Sequence, residues 1–190
     1  MDNPVKSNVW EVREIKLPPI YEKLDNNRRA KWFKMHPHKL FPDYGYSLWI
    51  DGSVEIKGNV DELVDEAFKK GGFWAVHPHA SRKCIVEEAW ACNALKKEEP
   101  EIMARQLARY IATEKYPINN GLAENTIILR RHNDPDCIKL NEMWWNEVLT
   151  WSKRDQLSFN YCVWKLGLNY NLLKGTVYDS KYFKINSHTN

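Results

Sequence analysis

The chain has 190 residues, 43% of them hydrophobic and 28% charged, with a formal net charge of +3. This is enough to build one domain with a sizeable core, and residues 1–190 are read as a single domain. The charges are interspersed, which excludes a dedicated nucleic-acid binder, and no apolar run approaches the ~18 residues of a membrane span. The amino terminus also lacks the apolar core of a signal peptide, so a cytoplasmic protein is expected. Cys84, Cys92, Cys137 and Cys162 have neither Cys-x-x-Cys nor zinc-finger spacing, so reduced, packed thiols are expected. Nine Trp and nine Tyr exceed ordinary use. Pairs such as Trp144-Trp145 read as core, while a Trp face also suits the apolar face of a sugar ring.

Taken in order, Trp10 and Val12 alternate with Glu11 and Arg13, which predicts a strand over 9–15 that Pro18-Pro19 closes. Nothing ahead of it forms the strand-turn-helix unit that opens a doubly wound domain, so the chain is expected to begin inside one. Asn26 or Asn27 caps a helix to Met35, ended by Pro37, and Arg28, Lys31 and Lys34 give it a positive stripe. That stripe is either a solvated face or the wall of a site. The apolar run from Tyr46 to Ile50 predicts an interior strand ending on Asp51-Gly52-Ser53. A carboxylate at that end can hold a divalent cation against a phosphate; the alternative is an Asp-Gly turn into a short strand, Val54-Glu55-Ile56.

Asn59, with Glu62 three residues on, caps a helix carrying Val60, Leu63, Val64, Ala67 and Phe68 on one face, and Gly71-Gly72 stops it. Phe73 to Val76 reads as a buried strand that enters a loop at His77-Pro78-His79, making His79 and Arg82 candidate phosphate or sugar contacts. Two helices follow over 85–97 and 101–115, broken at Pro100. After the turn Asn119-Asn120-Gly121, the strand Thr126 to Leu129 ends on Arg130-Arg131-His132-Asn133. Two strands ending in polar loops predict one pocket shared by Asp51 and the segment 130–133, with His132 a metal ligand or a surface imidazole.

A helix from near Asn141 puts Trp144, Val148 and Trp151 on one face, and a second, with Ser152 as its cap, carries Leu157, Tyr161, Trp164 and Leu168. Asp155 in its first turn is either good helix design or, with Arg154 and Gln156, part of the pocket. The last twenty residues show little pattern and are expected to trail over the surface. The alternation of elements makes the fold class α/β.

Together, Lys34-Met35-His36-Pro37-His38, Trp49-Ile50-Asp51-Gly52-Ser53, His79 with Arg82 and Glu87-Glu88, Gly121-Leu122 with Ile128 to Asn133, and Arg154 to Phe159 resemble the TOD/MUCI-type glycosyltransferase-like domain family. The resemblance runs from about Trp10 to about Leu168. It implies a GT-A-like Rossmann-type mixed sheet flanked by helices, with the first strand missing from this chain. That strand would stand ahead of the region of Asp2 and Asn3. It further implies metal-assisted transfer from a nucleotide-sugar donor to a glycan or lipid-linked acceptor. Asp51 then stands at the first acid of an Asp-x-Asp, with Ser53 at the third position and His132 as a further ligand for Mn2+ or Mg2+. On this reading Asp155 is expected to be the catalytic carboxylate and Lys31, Lys34, His38, His79, Arg82, Arg130, Arg154 and Gln156 to bind substrate, with Trp49 or Trp74 offering a stacking face. Rival readings are a non-catalytic carbohydrate- or nucleotide-sugar-binding module and a metal-dependent hydrolase built on the His-rich loops.

Overall fold

A computed structural model describes residues 7, 8 and 10–186, so the region of Asp2 and Asn3 lies outside it. The order of elements is α1 (Asn26–Met35), α2 (Pro37–Leu40), β1 (Ser47–Ile50), β2 (Val54–Ile56), α3 (Val60–Phe68), β3 (Trp74–Pro78) and α4 (Ile85–Ala94). It continues with α5 (Pro100–Ala108), β4 (Ala123–Arg130), α6 (Pro135–Thr150), α7 (Gln156–Lys165), β5 (Asn171–Leu172) and β6 (Phe183–Ile185). The class is mixed α/β.

Four strands form the main sheet in the order β1-β4-β3-β5, and β2 pairs with β6 in a separate ribbon. β4 runs antiparallel to both β1 and β3, while β5 is parallel to β3. Because successive side chains alternate across a strand, the sheet divides the core in two. Trp49, Trp74, Val76 and Ile128 face a layer built from α1, α6 and α7, where Trp144, Phe159 and Met35 are buried. Leu48, Ile50, Ala75, Ile127 and Leu129 face Leu63, Ala67 and Phe68 of α3 and the β2–β6 ribbon.

The helix signals have local causes. Asp25, one residue earlier than expected, caps α1 by accepting from Arg28 N, and Asn59 accepts from Asp61 N and Glu62 N at the start of α3. Pro100 opens α5 rather than lying between helices, as a proline at the first helical position can, and the chain continues through a π turn at Arg109–Thr113. α6 begins at Pro135, capped by Asp134, well before Asn141. Trp144 and Trp145 are core, as are all four cysteines, none of which is in a disulfide.

Several expectations are corrected. Residues 10–15 form no strand, and residue 9 of that prediction is not described; the alternation there meets no neighbouring strand, so Trp10 and Val12 stay exposed. β1 is an edge strand and only half buried, not interior. Pro78 is tolerated within β3 because a register break at Val76/His77 loosens the ladder there. The last segment does not trail: Leu173, Val177, Tyr182 and Phe183 are buried against α3, and β5 and β6 lie within it.

Candidate active site

One polar cavity of about 520 Å3 opens where β1 and β3 end and β4 begins. Lys31, Lys34, Asp51, Ser53, His79, Arg82, Arg154, Asp155 and Gln156 all line it, so most of the residues singled out in sequence converge. Glu124, Asn125, Thr126, Lys97 and Tyr178 line it as well.

Asp51 follows β1 directly. Its N–H donates to Thr126 O at 3.0 Å and its carbonyl accepts from Val54 N at 2.9 Å. It is therefore both a strand-end acid and the opening of a turn, although β2 then pairs with β6 rather than folding back on β1. Trp49 Nε1 donates to Asp51 Oδ1 at 2.7 Å, and Lys34 Nζ stands 3.7 Å from the same oxygen.

Lys31 and Lys34, three residues apart on α1, share a face and meet Asp155. Their ammonium groups lie 3.2 and 2.7 Å from its two carboxylate oxygens. Lys34 also lies 5.6 Å from the Trp49 ring and 5.8 Å from that of Trp144. Asp155 occupies the N-cap position of α7, yet its side chain caps nothing. Ser152 does not cap α7 either; its hydroxyl accepts from Arg154 N and donates to Glu98. Burial of Asp155 would raise its pKa, but Lys31 and Lys34 outweigh that and hold the carboxyl well below its ordinary range.

On the opposite wall, His79 Nδ1 accepts from the N–H groups of Ser81 and Arg82, at 3.1 and 2.9 Å. That leaves the ring proton on Nε2, 3.4 Å from Glu124 Oε2. Burial lowers the His79 pKa, with Glu124 opposing, so the ring is a neutral donor. Glu124 also accepts from Thr126 Oγ1 at 2.6 Å, so two groups orient it. Arg82 Nε donates to buried Glu88 at 2.6 Å, and Arg154 stands 3.9 Å from the same carboxylate.

Glu124 and its neighbours reach the cavity through a β-bulge. β3 and β4 pair Val76 with Ile128 and then His77 with Glu124, so Asn125, Thr126 and Ile127 have no partner on β3. Such a bulge re-aims side chains at the rim of a sheet.

Four anticipated residues lie elsewhere. Since β1 and β4 are antiparallel, with Ser47 opposite Arg130 and Ile50 opposite Ile127, Arg130 and the residues after it sit at the other end of the sheet from Asp51. The shared pocket with 130–133 is therefore wrong. Arg130 is buried and donates to Lys34 O at 2.6 Å and Asn141 Oδ1 at 3.0 Å, which fixes the end of α1 that carries Lys34. Burial holds its pKa down to about 10. His132 is buried with Nε2 on Phe41 O, too far along β4 to join Asp51 at a metal. His38 contacts Glu142 beside Lys39. Trp74 is fully buried against Phe159 and Trp144, so it offers no stacking face.

For a divalent cation the cavity offers Asp51 Oδ2 and the Ser53 hydroxyl. Among the described residues there is no group of three or more His, Cys, Asp or Glu placed to hold a metal. Mg2+ characteristically takes one or two protein carboxylates and completes its shell with other oxygens and water, and Asp51 with Ser53 can supply that protein share.

The cavity thus sets five cationic side chains, Lys31, Lys34, Arg82, Lys97 and Arg154, around three carboxylates, Asp51, Glu124 and Asp155. A family model described as "TOD1/MUCI70, glycosyltransferase-like domain" matches residues 2–187. The chain belongs to this family. Its TOD1/MUCI70 domain is 29% identical over 168 residues to an Arabidopsis thaliana protein named "Probable hexosyltransferase MUCI70". The match covers 84% of this chain and 28% of that relative, so the chain spans little more than a quarter of the relative's length. No solved structure matches the chain. Among the described residues no helix is long and apolar enough to cross a membrane.

Proposed function

We propose that this TOD1/MUCI70 domain is a glycosyltransferase that moves a hexosyl unit from a nucleotide-sugar donor to a hydroxyl of a glycan or lipid-linked acceptor. The observation that carries the reading is the polar cavity at the carboxyl ends of β1 and β3, with its excess of cations over carboxylates. We read the mixed sheet as GT-A-like on the same ground, since ligands of open α/β sheets collect at that edge.

In this reading Lys31 and Lys34 face the departing diphosphate, and Arg82, Lys97 and Arg154 add positive charge as the anomeric C–O bond breaks and its electrons pass to the leaving group. A Mn2+ or Mg2+ ion held by Asp51 and Ser53 would supply further charge neutralisation there. As the acceptor oxygen bonds to the anomeric carbon, its proton passes to Glu124, oriented by His79 and Thr126. Asp155 is held so strongly ionised that it is a weak proton acceptor; its part is to fix the two ammonium groups and place negative charge beside the developing oxocarbenium centre. Gln156 and Arg154 orient sugar hydroxyls, and the exposed ring of Tyr178 offers a stacking face in place of Trp74.

A second reading, binding of the same donor without transfer, is favoured by the engagement of Asp155 with two lysines and by Ser53 in place of a second acid. Incubation with UDP- and GDP-hexoses and Mn2+ separates the two. Release of nucleoside diphosphate with label appearing on an acceptor oligosaccharide is expected; binding with no release from any donor establishes the second reading instead.

A further inference from the structure

We infer that Asn125 is the residue that reads adjacent hydroxyls on the transferred sugar. Asn125 lies in the bulge of β4, in the wall of the cavity, and is 2% exposed. Neither Oδ1 nor Nδ2 has a hydrogen-bond partner. Native folds pair nearly all buried amides, and a Leu or Val could fill the same volume with no unpaired group. A carboxamide kept in this state in a cavity wall is placed to take a ligand as its partner.

The donor and acceptor pattern selects the ligand. One carboxamide offers an accepting oxygen beside a donating nitrogen, and a vicinal diol satisfies both, one hydroxyl donating to Oδ1 while the next accepts from Nδ2. A phosphate only accepts and would leave Oδ1 facing negative charge, so the diphosphate belongs with the lysines. Gln156 Nε2 and Arg154 Nε, on the same cavity, are also buried without partners and supply further donors to hydroxyl oxygens. Sites built this way reject analogues that lack the hydroxyl, because the polar groups are then left unpaired. Asn125 thereby becomes a determinant of sugar specificity.

The inference rests on the transferase reading. Ribose in the nucleotide carries the same diol, so the experiment must tell the two apart. Titration calorimetry of the 190-residue chain with UDP-glucose, UDP-galactose and GDP-mannose, and with UDP and GDP alone, is repeated on Asn125→Leu, with Asn125→Asp as a second variant should the first fail to fold. The expected result is a loss of about tenfold or more in affinity for the nucleotide sugar, roughly one hydrogen-bonded pair. Affinity for the nucleoside diphosphate should stay within about twofold, with the melting temperature unchanged or raised. An equal loss for UDP or GDP alone assigns the diol to ribose and overturns the proposal, as does unchanged nucleotide-sugar affinity. If the parent chain binds none of these compounds, the transferase reading itself fails and takes the inference with it.

Discussion

Lys34 Nζ and Asp155 Oδ2, 121 residues apart in sequence, meet at 2.7 Å with both side chains almost wholly buried. Lys31 closes on the other carboxylate oxygen of the same aspartate. The pair ties the last turn of α1 to the start of α7 across the floor of the cavity, so structure and chemistry are coupled there.

Removing one partner of a buried ion pair leaves the other uncompensated, at a cost of about 3–5 kcal/mol. Asp155→Asn is therefore expected to lower the melting temperature clearly, rather than by the few tenths of a kcal/mol of a lost helix-dipole contact. The pH dependence gives a second check. The Asp155 pKa is depressed in the fold, so its stabilisation is present above the unfolded value near pH ~4 and is lost as pH falls toward the folded value. Thermal melts from pH 5 downward should show a shallower acid slope for the variant; parallel slopes would mean that the pair contributes nothing.

Asp51 is different, since its side chain is 45% exposed and Trp49 is its nearest partner. Asp51→Asn is expected to cost under about 1 kcal/mol in stability and to abolish any Mn2+-dependent donor hydrolysis. Melting curves beside release assays with Mn2+ and with EDTA measure both. Undiminished Mn2+-dependent release would remove Asp51 from metal binding.

Glu124→Gln keeps the shape of the side chain and takes away the base. Transfer should fall about 10²–10⁴-fold while nucleotide affinity stays within a few fold. A variant that transfers sugar at the parent rate would return the proton to another group.

His36 offers a test away from the cavity. Burial lowers its pKa to about 4, although Nδ1 contacts Trp32 O at 2.7 Å. Between pH 6.5 and about 4 the unfolded chain binds a proton that the folded imidazole refuses. Stability is therefore full above pH 6.5 and declines through that window, by up to about 3 kcal/mol. His38, His77, His79 and His132 are lowered by burial too and act with the same sign. His36→Gln should flatten part of the slope in denaturant melts across this range, and no change in slope would exclude His36 as a contributor.

Helix α3 was legible because cap, apolar period and glycine stop agree within a dozen residues. Asp51 was legible because a short apolar run breaks abruptly on it. Strand direction was not, since nothing local in Thr126 to Leu129 says that β4 runs against β1, and the error moved Arg130 and His132 to the wrong end of the sheet. Asn125 was hidden because a bulge breaks the alternation by which a strand is read. Strands β5 and β6, of two and three residues, are too short to carry a period, and their pairing depends on partners far away in sequence. The alternation at Trp10 to Arg13 misled for the converse reason, being a pattern without a partner.

The segment from Leu173 to Asn186 gives the cavity part of its rim through Val177, Tyr178, Ile185 and Asn186, and Asn186 N donates to Ser53 O at 2.8 Å. At Gly58, where any side chain would press on Tyr182, the backbone of this segment is seated directly against the turn after β2. An expression clone shortened to the end of α7 would keep both lysines, Asp51 and Asp155, and most of the recognisable motifs. It would nevertheless open one side of the pocket to water and uncover the apolar face of α3, so boundaries chosen by motif alone would yield a protein that looks complete on paper and aggregates in the tube.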